Sequence, residues 1–280
     1  MGSPLSHLAS PLRQILTDSN PKARLDQAAF EIAQLHAPDL GSSEHDPQPY
    51  LDQLNELAAN LGDRLRNFND GREFVEKAQS YLFGELGFQG NMTDYYDPLN
   101  NCLDHVLDRR VGNPITLSVL YMEIARRLQM PVYGISLPGH FVVQFDDRRY
   151  ATYVDPFGGG EAITIEKCFT LAGAKVPDPA LLRRATNKQI VMRMLHNLHG
   201  SYVRLHDIPR AVAALDLLIL GAPQDATWHK LRGMFHLKLK RYGSAREDLE
   251  KYLAYTPDAA DRTAVLQQLQ SIHQWLAQNN

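Results

Sequence analysis

The sequence lacks several features that would place it in a membrane or on nucleic acid. No apolar run approaches the roughly 20 residues that a helix needs to cross a bilayer, and no block of lysine and arginine occurs in a chain of net charge −3. The first ten residues, MGSPLSHLAS, lack the charged and then apolar pattern of a secretory signal. The sequence therefore predicts no membrane partner and no nucleic-acid partner.

Cysteines and ligand motifs are also scarce. Only two cysteines, Cys102 and Cys168, occur in 280 residues, which excludes a disulfide framework and favours a reducing, cytoplasmic location. The run of glycines at 158–160 lacks the following Lys-Ser/Thr of a phosphate loop and predicts a turn. His196 and His199 have a spacing that can hold a metal, but no carboxylate or cysteine stands nearby at ligand spacing. We expect no cofactor and no metal.

Residues 109–160 contain the features from which most of the fold and the candidate site are predicted. This stretch begins with a predicted helix, because its apolar residues recur at helical period. Asn113 is a favoured N-cap and Pro114 a favoured first helical residue. The basic pair at 126–127 complements the negative end of the helix dipole, and Pro131 ends the helix. The apolar stripe comprises Leu117, Leu120, Tyr121, Ile124 and Leu128.

A small antiparallel sheet of three strands is predicted next. The strands cover residues 132–136, 140–145 and 150–154, with a polar hairpin loop between the last two. A single histidine, His140, opens the second strand, and a single aspartate, Asp155, ends the third. This arrangement places one imidazole and one carboxylate at neighbouring strand ends.

The order of helix, strand with histidine, hairpin and strand ending in aspartate resembles the core of the transglutaminase-like superfamily. That resemblance implies a papain-like α+β fold in which G-x-C opens the helix and a proline follows the cysteine by seventeen residues. Counting back seventeen from Pro131 places the cysteine position at Pro114, with Gly112 as the leading glycine. The resemblance implies His140 as the catalytic histidine and Asp155 as the residue that orients it, without the nucleophile.

The missing thiol leaves two interpretations of the histidine and aspartate. Either His140 and Asp155 are a structural remnant that braces the sheet, or they form half of a working site with an unrecognised nucleophile or an activated water. Cys102 and Cys168 are candidates for a displaced nucleophile, although a small buried apolar role suits both better. The hydroxyls near the helix start, Thr116 and Ser118, need far more activation than a thiol.

Two further groups near this stretch permit a binding role or a packing role. Tyr95 and Tyr96 either line a groove or cover the core. Arg109 and Arg110 either bind an anion or pair with a nearby aspartate, and the surface ion pair is the commoner arrangement.

Helices are predicted on both sides of the core. On the N-terminal side they cover residues 4–16, 21–36, 50–65, 73–85 and 100–110. The prolines at 177 and 179 predict a linker. Beyond it, matching residues recur at a spacing of thirty-four, such as Ala211 with Ala245 and Pro223 with Pro257. This is the tetratricopeptide period, and residues 260–277 are predicted to form a capping helix.

A narrower resemblance covers the chain from about residue 51 onward. The motifs DYYDPLNNCLDHVLDRRVGNPITL, LPGHFVV and VDPFGGG, followed by helical repeats, are similar to a bacterial family that joins a transglutaminase-like domain to tetratricopeptide repeats. That family also has proline at the cysteine position, and some of its members are labelled virulence-gene regulators. Direct DNA contact is not expected here, because the sequence has no basic helix-turn-helix pattern.

These observations predict an α+β protein in three parts. Residues 1–48 form an N-terminal helical segment, residues 49–178 a transglutaminase-like domain with a small antiparallel sheet, and residues 179–280 an all-α region of repeats. The predicted function is a non-catalytic interaction or regulatory module that binds a protein or peptide through the repeats. The alternative is a hydrolase or acyl-transfer enzyme that uses His140 and Asp155.

Overall fold

The computed structural model describes residues 10–20, 22–36, 46–65 and 70–279. The chain forms two compact units, one within residues 7–194 and the other from residue 195 onward. The helix predicted over residues 4–16 is present from Ser10 to Leu16, and its first six residues lie outside the described range. The boundaries expected at residues 48 and 178 stay predictions.

The first unit starts with helices that pack against one another through apolar stripes. These are α1 (Ser10–Leu16), α2 (Leu25–Ala33), α3 (Gln48–Arg64) and α4 (Gly71–Ala78). Asp70 caps α4, because its side chain accepts a hydrogen bond from the Glu73 amide. The helix then continues to Glu85 as a π-helical stretch, Gln79–Glu85. In α3 the predicted apolar face is buried, comprising Leu51, Leu54, Leu57, Ala58 and Leu61.

A buried helix forms the centre of the first unit. Before it come β1 (Gln89–Gly90), α5 (Leu103–Arg109) and β2 (Val111–Gly112), and β1 pairs with β2 in parallel. The central helix, α6, spans Pro114–Arg127, as predicted. Every residue from Pro114 to Tyr121 is buried, on all faces of the helix. The N-terminal half of α6 is therefore a core element rather than a half-exposed amphipathic helix.

The sheet contains one strand more than the sequence predicted. Strands β3 (Val132–Leu137), β4 (His140–Asp146), β5 (Ala151–Asp155) and β6 (Glu161–Ile163) are antiparallel and lie in that order. The prediction of three strands was wrong because β6 is only three residues long and has no alternating pattern. A tight glycine turn makes β6 possible, since Gly159 and Gly160 have φ of +87° and +71°.

The segment that follows the proline-marked linker pairs with an edge of the sheet. After α7 (Ile165–Leu171) and a short 3₁₀ turn, Arg184 forms an isolated bridge with Ile135, and the Ala185 amide donates to the Gly134 carbonyl at 2.8 Å. The guanidinium of Arg184 also lies 3.7 Å from the centre of the Tyr133 ring. Strand β3 is therefore paired on its outer side.

The second unit is all helical, and α8 (Asn187–Arg204) enters it at residue 195. The remaining helices are α9 (Ile208–Gly221), α10 (Ala226–Lys238), α11 (Tyr242–Tyr255) and α12 (Arg262–Asn279). Small residues stand where paired helices approach: Ala211 and Ala245 are fully buried, and a Cβ on Gly233 would lie 3.1 Å from Leu249. Among the described helices, none is long and apolar enough to cross a membrane.

An ion network is buried inside the second unit. Asp248 accepts hydrogen bonds from His229 at 3.1 Å and from Arg232 at 2.7 and 2.8 Å. Arg232 also pairs with Asp216 at 2.6 Å. Burial alone would raise the pKa of Asp248, but the bonds from Arg232 and His229 outweigh it and hold that pKa below its usual value.

We expect Asp248→Asn to destabilise this unit by about 3 kcal/mol near neutral pH, because it leaves the buried Arg232 short of a counter-charge. The stabilisation from a carboxyl of lowered pKa is present above its unfolded pKa of about 3.9 and is lost as the pH falls through the folded pKa. The difference between the two proteins should therefore shrink below about pH 4. Urea unfolding followed by tryptophan fluorescence measures it, since both tryptophans, Trp228 and Trp275, lie in this unit.

The matched control is Asp258→Asn, which changes an exposed carboxylate of the same unit and should alter stability by less than about 0.5 kcal/mol. Equal effects of the two substitutions at neutral pH would contradict a structural role for the network.

Candidate functional site

The two predicted site residues lie next to each other at one end of the sheet. His140 opens β4 and Asp155 ends β5, and the antiparallel pairing of these strands brings the two strand ends together. The Nε2 atom of His140 lies 2.9 Å from Oδ1 of Asp155, and each side chain is only 11% exposed. The arrangement can fix an imidazole in one orientation, which is the geometry that the resemblance implied.

The turn after β5 is shaped around the Asp155 carboxylate. The Phe157 amide donates to Asp155 Oδ1 at 3.2 Å, and the Gly160 amide donates to the Asp155 carbonyl at 2.8 Å. A Cβ on Gly158 would lie 2.8 Å from Asp155 Oδ2, and one on Gly160 would lie 2.1 Å from the Phe83 ring. The glycines of the DPFGGG motif therefore hold the carboxylate in place, because any side chain at these two positions would collide.

The start of α6 is held by a layer of buried amide side chains. Asn113 Oδ1 accepts from the Thr116 amide at 3.0 Å, and Asn113 Nδ2 donates to Asn101 Oδ1 at 2.6 Å. Next to this pair, Asn91 Nδ2 donates to Asn100 Oδ1 at 3.0 Å. Pro114 is the first helical residue and is itself buried. Pro114, where the seventeen-residue spacing predicts the superfamily's thiol, has a ring with no nucleophilic atom.

The hydroxyl groups near the start of α6 have structural partners. Thr116 Oγ1 donates to Asn113 Oδ1 at 3.0 Å. Ser118 Oγ donates to the Pro114 carbonyl at 2.7 Å and lies 3.4 Å from the Phe141 carbonyl. Both residues are fully buried, so neither offers an accessible nucleophile.

Neither cysteine is placed to replace the missing thiol. Cys102 is fully buried, its Sγ lies 3.6 Å from the Pro98 carbonyl, and burial, with Asp104 and Asp97 nearby, raises the pKa of the thiol well above its ordinary value. Cys168 is fully buried in α7, and burial together with the charge of Asp155 raises its pKa to about 11. Since the thiolate is the reactive form, both sites are suited to packing rather than to catalysis.

An aromatic rim beside the histidine was not predicted as part of the site. The Phe157 ring stands edge-on to His140 at 5.8 Å, and Tyr95 stands edge-on to Phe157 at 5.9 Å. Tyr95 and Tyr96 are 39% and 50% exposed, so the interpretation that they cover the core is wrong. The signal available in the sequence was the pair of motifs DYYDP and DPFG, whose aromatic residues flank acidic turns.

Two other predicted alternatives are decided by local contacts. Arg109 pairs with Asp97 at 2.8 Å, which is the ion-pair alternative. His199 Nδ1 lies 3.1 Å from the Ala211 carbonyl, and burial lowers the pKa of this histidine, while His196 packs on the Trp228 ring. Within the described ranges no three His, Cys, Asp or Glu side chains are grouped so as to hold a metal ion.

Comparison with known proteins identifies two regions. A model of the transglutaminase-like superfamily matches residues 48–196, and a tetratricopeptide-repeat model matches residues 198–270. A UPF0162 protein of Xylella fastidiosa is 37% identical over 185 residues, which cover 63% of this chain and 66% of that protein. A UPF0162 protein of Pseudomonas aeruginosa is 29% identical over 251 residues, covering 88% and 89% of the two chains.

A eukaryotic protein is similar to this chain over a shorter stretch. Human F-box only protein 21 is 38% identical over 133 residues, which cover 44% of this chain and 21% of that protein. The similarity is therefore limited to one portion of a much longer relative.

Native alkylation should leave both cysteines unmodified. Because burial raises the pKa of both thiols, we expect iodoacetamide to modify neither Cys102 nor Cys168 from about pH 6 to about pH 9 until the chain unfolds. Mass spectrometry of the alkylated protein gives the modified fraction at each residue. The urea-unfolded chain is the control and should react at both residues. Rapid native modification that His140→Ala abolishes would show a relocated nucleophile.

Proposed function

This chain belongs to the transglutaminase-like superfamily, and we propose that it acts there as a non-catalytic module that binds a protein or peptide partner. The observation that carries the proposal is Pro114, a buried proline at the superfamily's thiol position, in a chain whose cysteines are both buried. The matched region covers 66% of the Xylella fastidiosa relative's length. Activity and partners of the whole protein are therefore part of the proposal.

Binding through the C-terminal unit is supported by its repeats and by its surface. Tetratricopeptide repeats stack into extended surfaces that recognise other proteins. The described part of this unit exposes large apolar side chains that its own packing leaves uncovered. These are Leu205, Tyr255, Leu266 and Trp275. Aromatic side chains of this kind are enriched among residues that dominate binding energy at interfaces.

Two further observations agree with a binding module. The match to human F-box only protein 21 covers 21% of that protein, so a related region serves as one part of a longer chain. Both cysteines are free, which suits the reducing cytoplasm predicted from the sequence. A cytoplasmic location remains part of this proposal.

A second candidate function rests on the intact contact between His140 and Asp155. A hydrogen bond of 2.9 Å between an imidazole and a buried carboxylate can orient a general base. In this alternative the protein is a hydrolase or an acyl-transfer enzyme in which His140 activates a water or an unrecognised nucleophile. The contact equally serves as a brace between β4 and β5, so the two candidates differ in activity rather than in geometry.

Acyl hydrolysis separates these candidates. We expect the purified wild-type chain to hydrolyse p-nitrophenyl acetate no faster than His140→Ala, because no nucleophile stands at position 114. In Pro114→Cys, a thiol at the start of α6 should gain a depressed pKa and rapid alkylation that depends on His140. Wild-type hydrolysis that falls at least about tenfold in His140→Ala would establish the enzyme alternative and refute the non-catalytic one.

Partner capture tests the binding surface. We expect cross-linking in native cells to trap a defined partner on the full-length wild-type chain and to lose most of it in the double variant Tyr255→Ser, Trp275→Ser, since exposed aromatic residues anchor interfaces. Quantitative mass spectrometry of the captured protein measures the loss. The matched control is Tyr96→Ser, which removes an exposed aromatic residue outside the repeats. Absence of any stable partner, or an equal loss in the control, would contradict binding through the repeats.

A further inference from the structure

A basic cavity lies in the first unit, and neither His140 nor Asp155 lines it. Its volume is about 440 Å³, within the range of small-ligand sites. Its lining includes the cationic side chains of Lys22, Arg24 and Arg126, the carboxylate of Glu123, and the apolar side chains of Met122, Met130 and Val132. This basic cavity therefore combines charged and apolar lining groups.

Arg24 and Arg126 of this cavity belong to a cluster that contains more positive than negative side chains. Asp26 is fully buried and bonds Arg24, Arg126 and Arg127, with the Arg127 bond at 2.6 Å. Glu123 is 3% exposed and accepts bonds from Arg126 and Arg127 at 2.8 and 2.9 Å. With Lys22, four cationic side chains stand with two carboxylates, which leaves a surplus of two positive charges in a chain of net charge −3.

The members of this cluster divide into a structural arginine and two accessible ones. The side chain of Arg127 is 9% exposed and uses its three nitrogens on Asn55, Glu123 and Asp26. Arg24 and Arg126 are 43% and 49% exposed, and each uses Nε and Nη2 on the buried carboxylates. Their Nη1 atoms make no hydrogen bond to any residue within the described ranges, so each guanidinium keeps donors for an outside group.

Helix electrostatics explain only part of this arrangement. Arg126 and Arg127 lie in the last turn of α6, where cations complement the helix dipole, and Arg127 alone bridges both carboxylates. Arg24 and Arg126 also bind these carboxylates, so the cluster has more cations than are needed to neutralise Asp26 and Glu123. Burial and the nearby Asp26 charge raise the pKa of Glu123.

We infer that the basic cavity binds a small carboxylate ligand with an apolar body. The ligand's carboxylate accepts hydrogen bonds from Nη1 of Arg24 and Arg126, since guanidinium groups pair with carboxylates through directional bonds. Its apolar body lies against Met122, Met130 and Val132. The inference is independent of the proposed partner-binding function, because it rests on a different set of residues.

Matched probes of one shape test the charge requirement. Isothermal titration of the full chain with hexanoate, hexylamine and hexanol compares an anion, a cation and a neutral alcohol of similar size. We expect hexanoate to bind at least about tenfold more tightly than hexanol and hexylamine not to bind. Equal binding of the three probes, or no binding of hexanoate at millimolar concentration, would overturn the inference. If inorganic phosphate binds and hexanoate does not, the inference that the ligand has an apolar body is refuted.

Two variants locate the binding. Arg126→Gln should weaken hexanoate binding about tenfold, whereas Arg64→Gln, which removes an arginine of similar exposure outside the cavity, should leave it unchanged. Ala185→Leu adds bulk to the cavity wall without touching the ion pairs and should abolish binding. Far-UV circular dichroism establishes that each variant is folded. Hexanoate binding that survives Ala185→Leu contradicts this site even if Arg126→Gln does not fold.

Discussion

The buried start of α6 is the constraint on which the first unit depends. A helix that begins inside a core must satisfy its first amide groups without water, and here Asn113 does so by accepting from Thr116. Asn101 in turn accepts a hydrogen bond from the side-chain amide of Asn113 at 2.6 Å. The cap therefore joins the residues that precede α5 to those that precede α6. A proline fits this network at position 114, since proline needs no amide partner at the first helical position.

The geometry of His140 and Asp155 comes from elements other than α6. The contact between His140 and Asp155 depends on strand pairing and on the glycine turn that surrounds the carboxylate, and neither needs a cysteine on α6. The Phe157 ring covers one edge of the imidazole. Strand pairing and the turn after β5 therefore suffice to keep the two side chains in contact.

Much of the first unit could be predicted because its local signals agree with its tertiary contacts. The cap at Asn113, the start of α6 at Pro114 and the alternation in β4 each follow one local rule that the fold obeys. Strand β6 was not predicted, because Glu161–Ile163 is too short to show the alternation of a strand. It is stabilised by its pairing with β5. Tyr95 was predicted only as a possible groove residue, because its contact with Phe157 joins residues sixty-two positions apart in the chain. The cluster around Asp26 was not predicted, since Arg126 and Arg127 lie about a hundred residues from Asp26 along the chain.

The pairing of Arg184 with Ile135 also bears on how the protein is made. Strands β3 to β6 are complete once residue 163 has left the ribosome, whereas the segment that pairs with the outer side of β3 emerges about twenty residues later. At translation rates of about 5–20 residues per second, the unpaired edge is present for about a second or more. During that interval the nascent sheet offers open amide and carbonyl groups to other chains. The outer side of β3 becomes paired only when residues 184 and 185 arrive.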